Sequence, residues 1–305
     1  MPDFSVFYQN FGALAIITAV GFLLGRKKII KPDTNKAVVN LLLMVALPCA
    51  LFSAFPTQFD WDSLHLFLWA AGGGLIVFLL AIVLSRLFYR RRTVGKFFRE
   101  HQFATIFTNA SFLGYPLVLA FFGQSIMIAY SGFMLVFDLL LFSYGRWLFE
   151  HKLSWRHLWK IVSPALFAEV AGLTLFLLSW QLPAVVELTI HGLAGLASPL
   201  SLICIGLMLS QAHNWRYWLS QRRLYLICLV RLLLVPVVAL VVLTLLRFPV
   251  EVVRVLVLLQ ALPTATTLVH FANKYGGKGE EASEIVLFTT ALSLVTVPVV
   301  MWVLG

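Results

Sequence analysis

Long apolar runs separated by short polar breaks repeat along the whole chain. Hydropathy and the placement of Pro, Gly and charge predict ten segments, over residues 7–24, 37–55, 64–88, 103–122, 126–149, 161–180, 189–210, 224–246, 253–272 and 282–304. Each approaches the ~20 residues that a helix needs to cross a bilayer. Backbone in lipid must satisfy its own hydrogen bonds, so helix is expected wherever a run does not line a cavity. Short connections carry Pro32, Pro56, Gly123, Pro183, Pro249, Gly276 and Gly277. The expected fold class is an all-α membrane protein with ten transmembrane helices. Ten spans divide into five and five, residues 1–152 and 153–305. Five is odd, so the second half enters the membrane upside down. Inverted repeats of that kind are a hallmark of secondary transporters.

Composition sharpens the class. The chain is 61% hydrophobic and 12% charged, with a mean hydropathy of +0.92. Soluble domains are about 45–50% apolar and about 25% charged. No polar stretch is long enough for a separate soluble domain, and the lipid bilayer is the expected surround. The net charge is +10. Twenty of the 23 basic residues fall in the loops after segments 1, 3, 5, 7 and 9, for example Lys27, Arg91, Lys152, Arg222 and Lys278. That bias puts those loops in the cytoplasm and both termini outside the cell (inner) membrane. Basic loops without a basic face exclude nucleic acid as a partner. Asp3 is the only charge before Arg26, so the first run reads as a span rather than a cleaved leader.

Cys49, Cys204 and Cys228 lie in apolar spans without metal-ligand spacing and read as small buried hydrophobes, with no metal site. Trp155, Trp159, Trp215 and Trp218 sit beside the basic loops and read as interface anchors. Gly72, Gly73 and Gly74 lack the context of a phosphate loop and point to close helix packing.

Two segments spoil their own helices. Segment 4 contains TNASFLGYPLVLAFFG, with Asn109, Ser111, Gly114 and Pro116 inside eight residues. Segment 9 contains ALPTATTLVHFANKYGG, with Pro263, Thr264, Thr266, Thr267 and His270. Each is fourth of five in its half. Pro removes an amide donor and interrupts the ladder. Freed carbonyls and half-helix amide ends can then hold a ligand, the N-terminal ends favouring anions. These nine residues are the candidate substrate-binding set, and a matched pair of interruptions is the best sequence pointer to a transporter site.

TNASFLGYPL, the run LLLMVALPCALF in segment 2, and ALPTATTLVHFANKYGG followed by EEASEIVLFTTALSLVTVPVV resemble the auxin efflux carrier family over essentially the full length. Bacterial members of that family are often called malate or malonate permeases, and its fold is similar to that of the bile acid–sodium symporters. The resemblance implies broken helices 4 and 9 crossing at mid-membrane. It implies a scaffold of helices 1, 2, 6 and 7, and a moving transport domain of helices 3–5 and 8–10. Asn109, Pro116 and Pro263 carry over as crossover residues. Family substrates are small organic anions, auxin-like or mono- and dicarboxylate. A homodimer is expected.

Asp138, Glu169 and Arg231 are charges inside spans. Each costs about 2.5–3.5 kcal/mol at a helix centre, so each calls for a partner or a task. They are the candidate coupling or charge network. Glu169 is read either as a protonatable coupling group or as a carboxyl held at a scaffold contact. Asp138 and Arg231 lie at depths that predict an ion pair. The expected function is a secondary transporter for a small organic anion, working by elevator-type alternating access. It carries no cofactor, and H+ or Na+ is the coupling ion if there is one. The alternatives are a sodium-coupled symporter of the bile acid type and a receptor with the same fold that does not transport. An enzyme is not expected, because GxSxG, HExxH and paired catalytic aspartates are all absent from the sequence.

Overall fold

A computed structural model describes residues 4–30, 32–90, 94–150, 163–212 and 215–304. Seven helices among them are long and apolar enough to cross a membrane: Gln9–Arg26, Thr34–Phe52, Trp61–Phe88, Gln124–Glu150, Ala184–Ser210, Arg222–Leu245 and Gly279–Leu304. They correspond to segments 1, 2, 3, 5, 7, 8 and 10. Segments 4 and 9 fall out of the count because each comes in two pieces. Segment 4 runs as Phe98–Ile106 and then Ala110–Phe122, and segment 9 as Val250–Ala261 and then Thr267–Lys274. Segment 6 is described only as Pro164–Leu178. Its expected first residues, 161 and 162, lie outside the described residues, as do Trp155 and Trp159 and the side chain of Trp215.

Proline acts differently from the sequence expectation. Leu42–Ala46, Ala110–Gly114 and Leu229–Leu234 are wide turns with i→i+5 bonding. Each ends two residues before a proline: Pro48, Pro116 and Pro236. A proline has no amide to give and its ring crowds the preceding turn, so the helix widens there instead of stopping. Pro116 therefore sits inside a helix, and the interruption in segment 4 comes earlier, at Phe107–Asn109. Pro263 does lie within its break, between Ala261 and Thr267.

The chain divides into two compact units, and each unit draws on both halves of the sequence. Residues 1–70, 111–135 and 162–211 form the first. In it the first helix lies directly on Ala197–Ser210, backbone against backbone at Gly21 and Gly206, with Gly25 against the Ser210 side chain. An apolar cluster of Phe55, Phe67, Ile128 and Phe176 packs within the same unit, with the Phe55 and Phe67 rings 5.7 Å apart. Asn10 Nδ2 donates to the Ala120 carbonyl at 2.6 Å.

Residues 71–110, 136–161 and 212–305 form the second unit. Phe78, Phe107 and Phe137 stack in its core at 6.0 to 6.2 Å between centroids. A β-carbon on Gly73 would meet Leu256 Cδ1 at 2.5 Å, so this glycine is a close-packing point as expected, whereas one on Gly72 would meet nothing. Trp218 departs from the anchor reading. It is buried, and its indole bonds to Glu284. A ring with one polar edge is as well suited to a buried carboxylate as to a membrane interface.

Candidate functional site

Both interruptions lie in the second unit, and they meet. Phe107 ends its half-helix in extended backbone, as does Leu262. Extended residues expose amides and carbonyls sideways, and each strand-like stub finds the other. Asn109 N–H donates to the Pro263 carbonyl at 2.8 Å, and Ala265 N–H donates to the Phe107 carbonyl at 2.9 Å. The result is a single antiparallel bridge between Thr108 and Thr264.

The two threonines complete the join reciprocally. Thr108 Oγ1 donates to the Leu259 carbonyl at 2.6 Å, and Thr264 Oγ1 donates to the Ala104 carbonyl at 3.2 Å. Each hydroxyl thus caps the last turn of the opposite half-helix, where carbonyls have no partner within their own helix. Thr264 N–H reaches Thr289 Oγ1 at 3.3 Å, tying the join to the helix Gly279–Leu304. Thr108 and Thr264 are both fully buried. Sequence reasoning named Thr264 but passed over Thr108. The available signal was a threonine next to Asn109 mirroring the threonine next to Pro263.

Arg231 serves the same carbonyl ends. It is fully buried, within the widened turn before Pro236. Its Nη1 donates to the Thr105 carbonyl at 3.1 Å and to Gln260 Oε1 at 3.0 Å. These contacts stand in place of the ion pair expected with Asp138. Thr105 and Gln260 are each the last residue but one of a half-helix, where the helix dipole is negative. A guanidinium there compensates two C-terminal ends together. Sequence reasoning did not anticipate this, because the partners are a carbonyl and an amide on half-helices. Asp138 and Glu169 are buried too, on the helices Met127–Leu140 and Pro164–Leu178.

Asn109 is buried, and its Nδ2 has no hydrogen-bond partner. Thr267 Oγ1 is likewise buried without a partner, at the start of Thr267–Lys274. Thr266 is half-buried, and His270 is exposed on the same short helix. Ser111, Gly114 and Pro116 belong to the first unit, on Ala110–Phe122. A mouth lined by Phe52, Phe55, Gly172, Trp180, Glu187 and His191 opens in the first unit and involves none of the expected site residues. Among the described residues, no cluster of His, Cys, Asp and Glu is arranged to hold a metal ion.

Comparison with known families gives one finding. A family model described as membrane transport protein, the auxin efflux carriers, matches residues 8–160 and again residues 151–301. The two matches share the chain between its halves. No curated protein sequence matches the chain.

Proposed function

Since the chain belongs to the membrane transport protein family of auxin efflux carriers, we propose that this multi-pass membrane transporter moves a small organic anion through the join between its two interrupted helices. Asn109 carries the reading. Its carboxamide is buried with a donor to spare, one residue before the helix Ala110–Phe122 begins. A buried amide hydrogen without a partner costs about 1–3 kcal/mol. A carboxylate accepting from it recovers that loss, and the positive end of a helix favours the same ligand. The double family match supports a 5+5 inverted repeat, with segments 4 and 9 as its crossover helices. Both breaks lie in the second unit, so movement of that unit as a body would carry them together, in the manner of an elevator.

Purified protein in liposomes preloaded with malonate, succinate or indole-3-acetate is expected to exchange at least one of them with labelled external anion. Asn109→Ala should weaken binding about tenfold or more, the value of one charge-assisted hydrogen bond in a dry site. Thermal stability should stay close to that of the parent. Equal affinity in a well-folded Asn109→Ala variant would remove the site. Saturable binding with no exchange would select the receptor reading instead.

The same exchange is expected to be independent of sodium. A coupling sodium ion in such folds takes its ligands from unwound carbonyls. Here the carbonyls of Ala104, Thr105, Phe107, Leu259 and Pro263 each already accept a protein hydrogen bond. The positive charge at the half-helix ends is built in as Arg231. Replacing sodium by choline on both sides should leave the rate unchanged. A rate that saturates with sodium would restore the symporter alternative.

A further inference from the structure

A buried cluster in the second unit stands apart from the join. Glu100 and His101 start the half-helix Phe98–Ile106, and Glu281 starts the helix Gly279–Leu304. All three are buried, His101 completely. Arg223, on Arg222–Cys228, reaches Glu281 Oε2 at 2.9 Å and Glu284 at 3.4 Å, and lies over the Phe97 ring at 4.7 Å. Glu100 Oε1 accepts the Lys278 backbone N–H at 2.6 Å. Tyr89 packs on the His101 ring at 5.4 Å, Trp218 bonds to Glu284, and Glu280 lies exposed beside them. Among the described residues, these are the charged and titratable groups that face the pair. Glu281 and Glu284 thus share one guanidinium, and Glu100 acts on Glu281 as a further negative charge.

The hydrogen bookkeeping leaves one gap. His101 Nδ1 lies 3.0 Å from the Phe97 carbonyl. A carbonyl only accepts, so Nδ1 carries the hydrogen and a neutral imidazole presents a lone pair at Nε2. That lone pair faces Glu281 Oε1 at 3.7 Å. Both atoms are buried, and neither has a hydrogen-bond partner. Two acceptors confronting each other inside a protein repel, and a single hydrogen placed between them turns the contact into a bond.

We propose that His101 Nε2 and Glu281 Oε1 form a proton-binding site, which takes up one proton from water and holds it between them. Loading removes one negative charge from the carboxylate surplus and draws the two helix starts together. The consequence reaches the join through rigid elements. His101 shares its short helix with Ala104 and Thr105, whose carbonyls bind Thr264 and Arg231. Glu281 shares its helix with Thr289, which accepts from Thr264 N–H. A proton bound here is therefore a second ligand of the unit that holds both interruptions. The site stands without the anion reading, because its ligand is the proton alone.

The test is histidine nitrogen NMR on the full-length protein in micelles. The protein has seven histidines, and the His101 signals are those missing from His101→Gln. The His101 Nε2 resonance is expected to move in one step between about pH 8 and about pH 5, the interval where His and perturbed carboxyls titrate. In Glu281→Gln the side-chain amide supplies a permanent hydrogen, so the resonance should hold still over that interval. If Glu281→Gln fails to fold, Glu281→Asp draws the carboxyl back, and the midpoint should shift by about one pH unit, tenfold in proton affinity. A stationary His101 resonance in the parent protein overturns the site. So does a titration that is the same in parent and Glu281 variant.

Discussion

Gly206→Leu is expected to leave no monodisperse protein. At Gly206 a β-carbon would collide with the Thr18 carbonyl, with Phe22 N at 2.5 Å and Gly21 C at 2.9 Å. All three are backbone atoms, so no side chain can rotate away. The same contact is built from the other side, where a β-carbon on Gly21 would strike the backbone of Ile203, with its Cα at 2.8 Å. In lipid, association of helices rests on such close approach, because there is little hydrophobic gain from burying one apolar face on another. Overpacking a core usually costs about 1–3 kcal/mol when side chains can adjust. Here the two helices must separate along their length, so the loss should exceed that range. Gly12→Ala and Gly192→Ala are the controls, since a β-carbon at either position meets nothing within 4 Å. Both should elute from size exclusion as the parent does. A Gly206→Leu variant with the parental elution profile and melting temperature would show that the contact is not needed.

That contact was hidden in the sequence, where Gly21 and Gly25 share the first span and Gly206 sits in another, with nothing to pair the two spans. The seven long helices were legible, because a lipid-spanning helix writes its length directly as an apolar run. The interruptions were legible as a pair but misplaced in segment 4. Pro116 drew attention, whereas the chain opens at Phe107–Asn109, where no proline stands. The opening there is held by partners from another part of the chain, chiefly the Pro263 carbonyl and the backbone of Leu259. No local pattern encodes such a partner. The same holds for Arg231. Its isolation in an apolar run announced a task, but the task depends on two helix ends brought to it by the fold. Glu100, His101 and Glu281 drew no attention because they lie at span ends, where charge is ordinary. Their near-total burial is a property of the packed unit.

Arg231→Met is expected to destabilise the second unit by about 2–4 kcal/mol, and Arg231→Lys by less than half of that. Two opposing terms decide the sign. A buried cation carries a desolvation penalty of several kcal/mol, and methionine removes it. Against that, methionine leaves the Thr105 carbonyl and Gln260 Oε1 without their donor, and two negative helix ends without their cation. Charge-assisted bonds are worth about 1.5–3 kcal/mol each, and a helix end up to ~2 kcal/mol in favourable geometry. The reference state settles the comparison. A membrane protein unfolds within its micelle or bilayer to inserted helices, and Arg231 in the middle of Arg222–Leu245 is already out of water there. Most of the desolvation is common to both states, so the contacts dominate. Lysine keeps a cation within reach of both ends but replaces the rigid planar guanidinium, whose Nη1 serves carbonyl and amide together, with a flexible ammonium. The measurement is unfolding by titration of SDS into detergent-solubilised protein, read by tryptophan fluorescence. Met at or above the parental midpoint would mean that the positive charge at the half-helix ends is dispensable. Lys falling as far as Met would mean that guanidinium geometry, rather than charge, holds the two interrupted helices together.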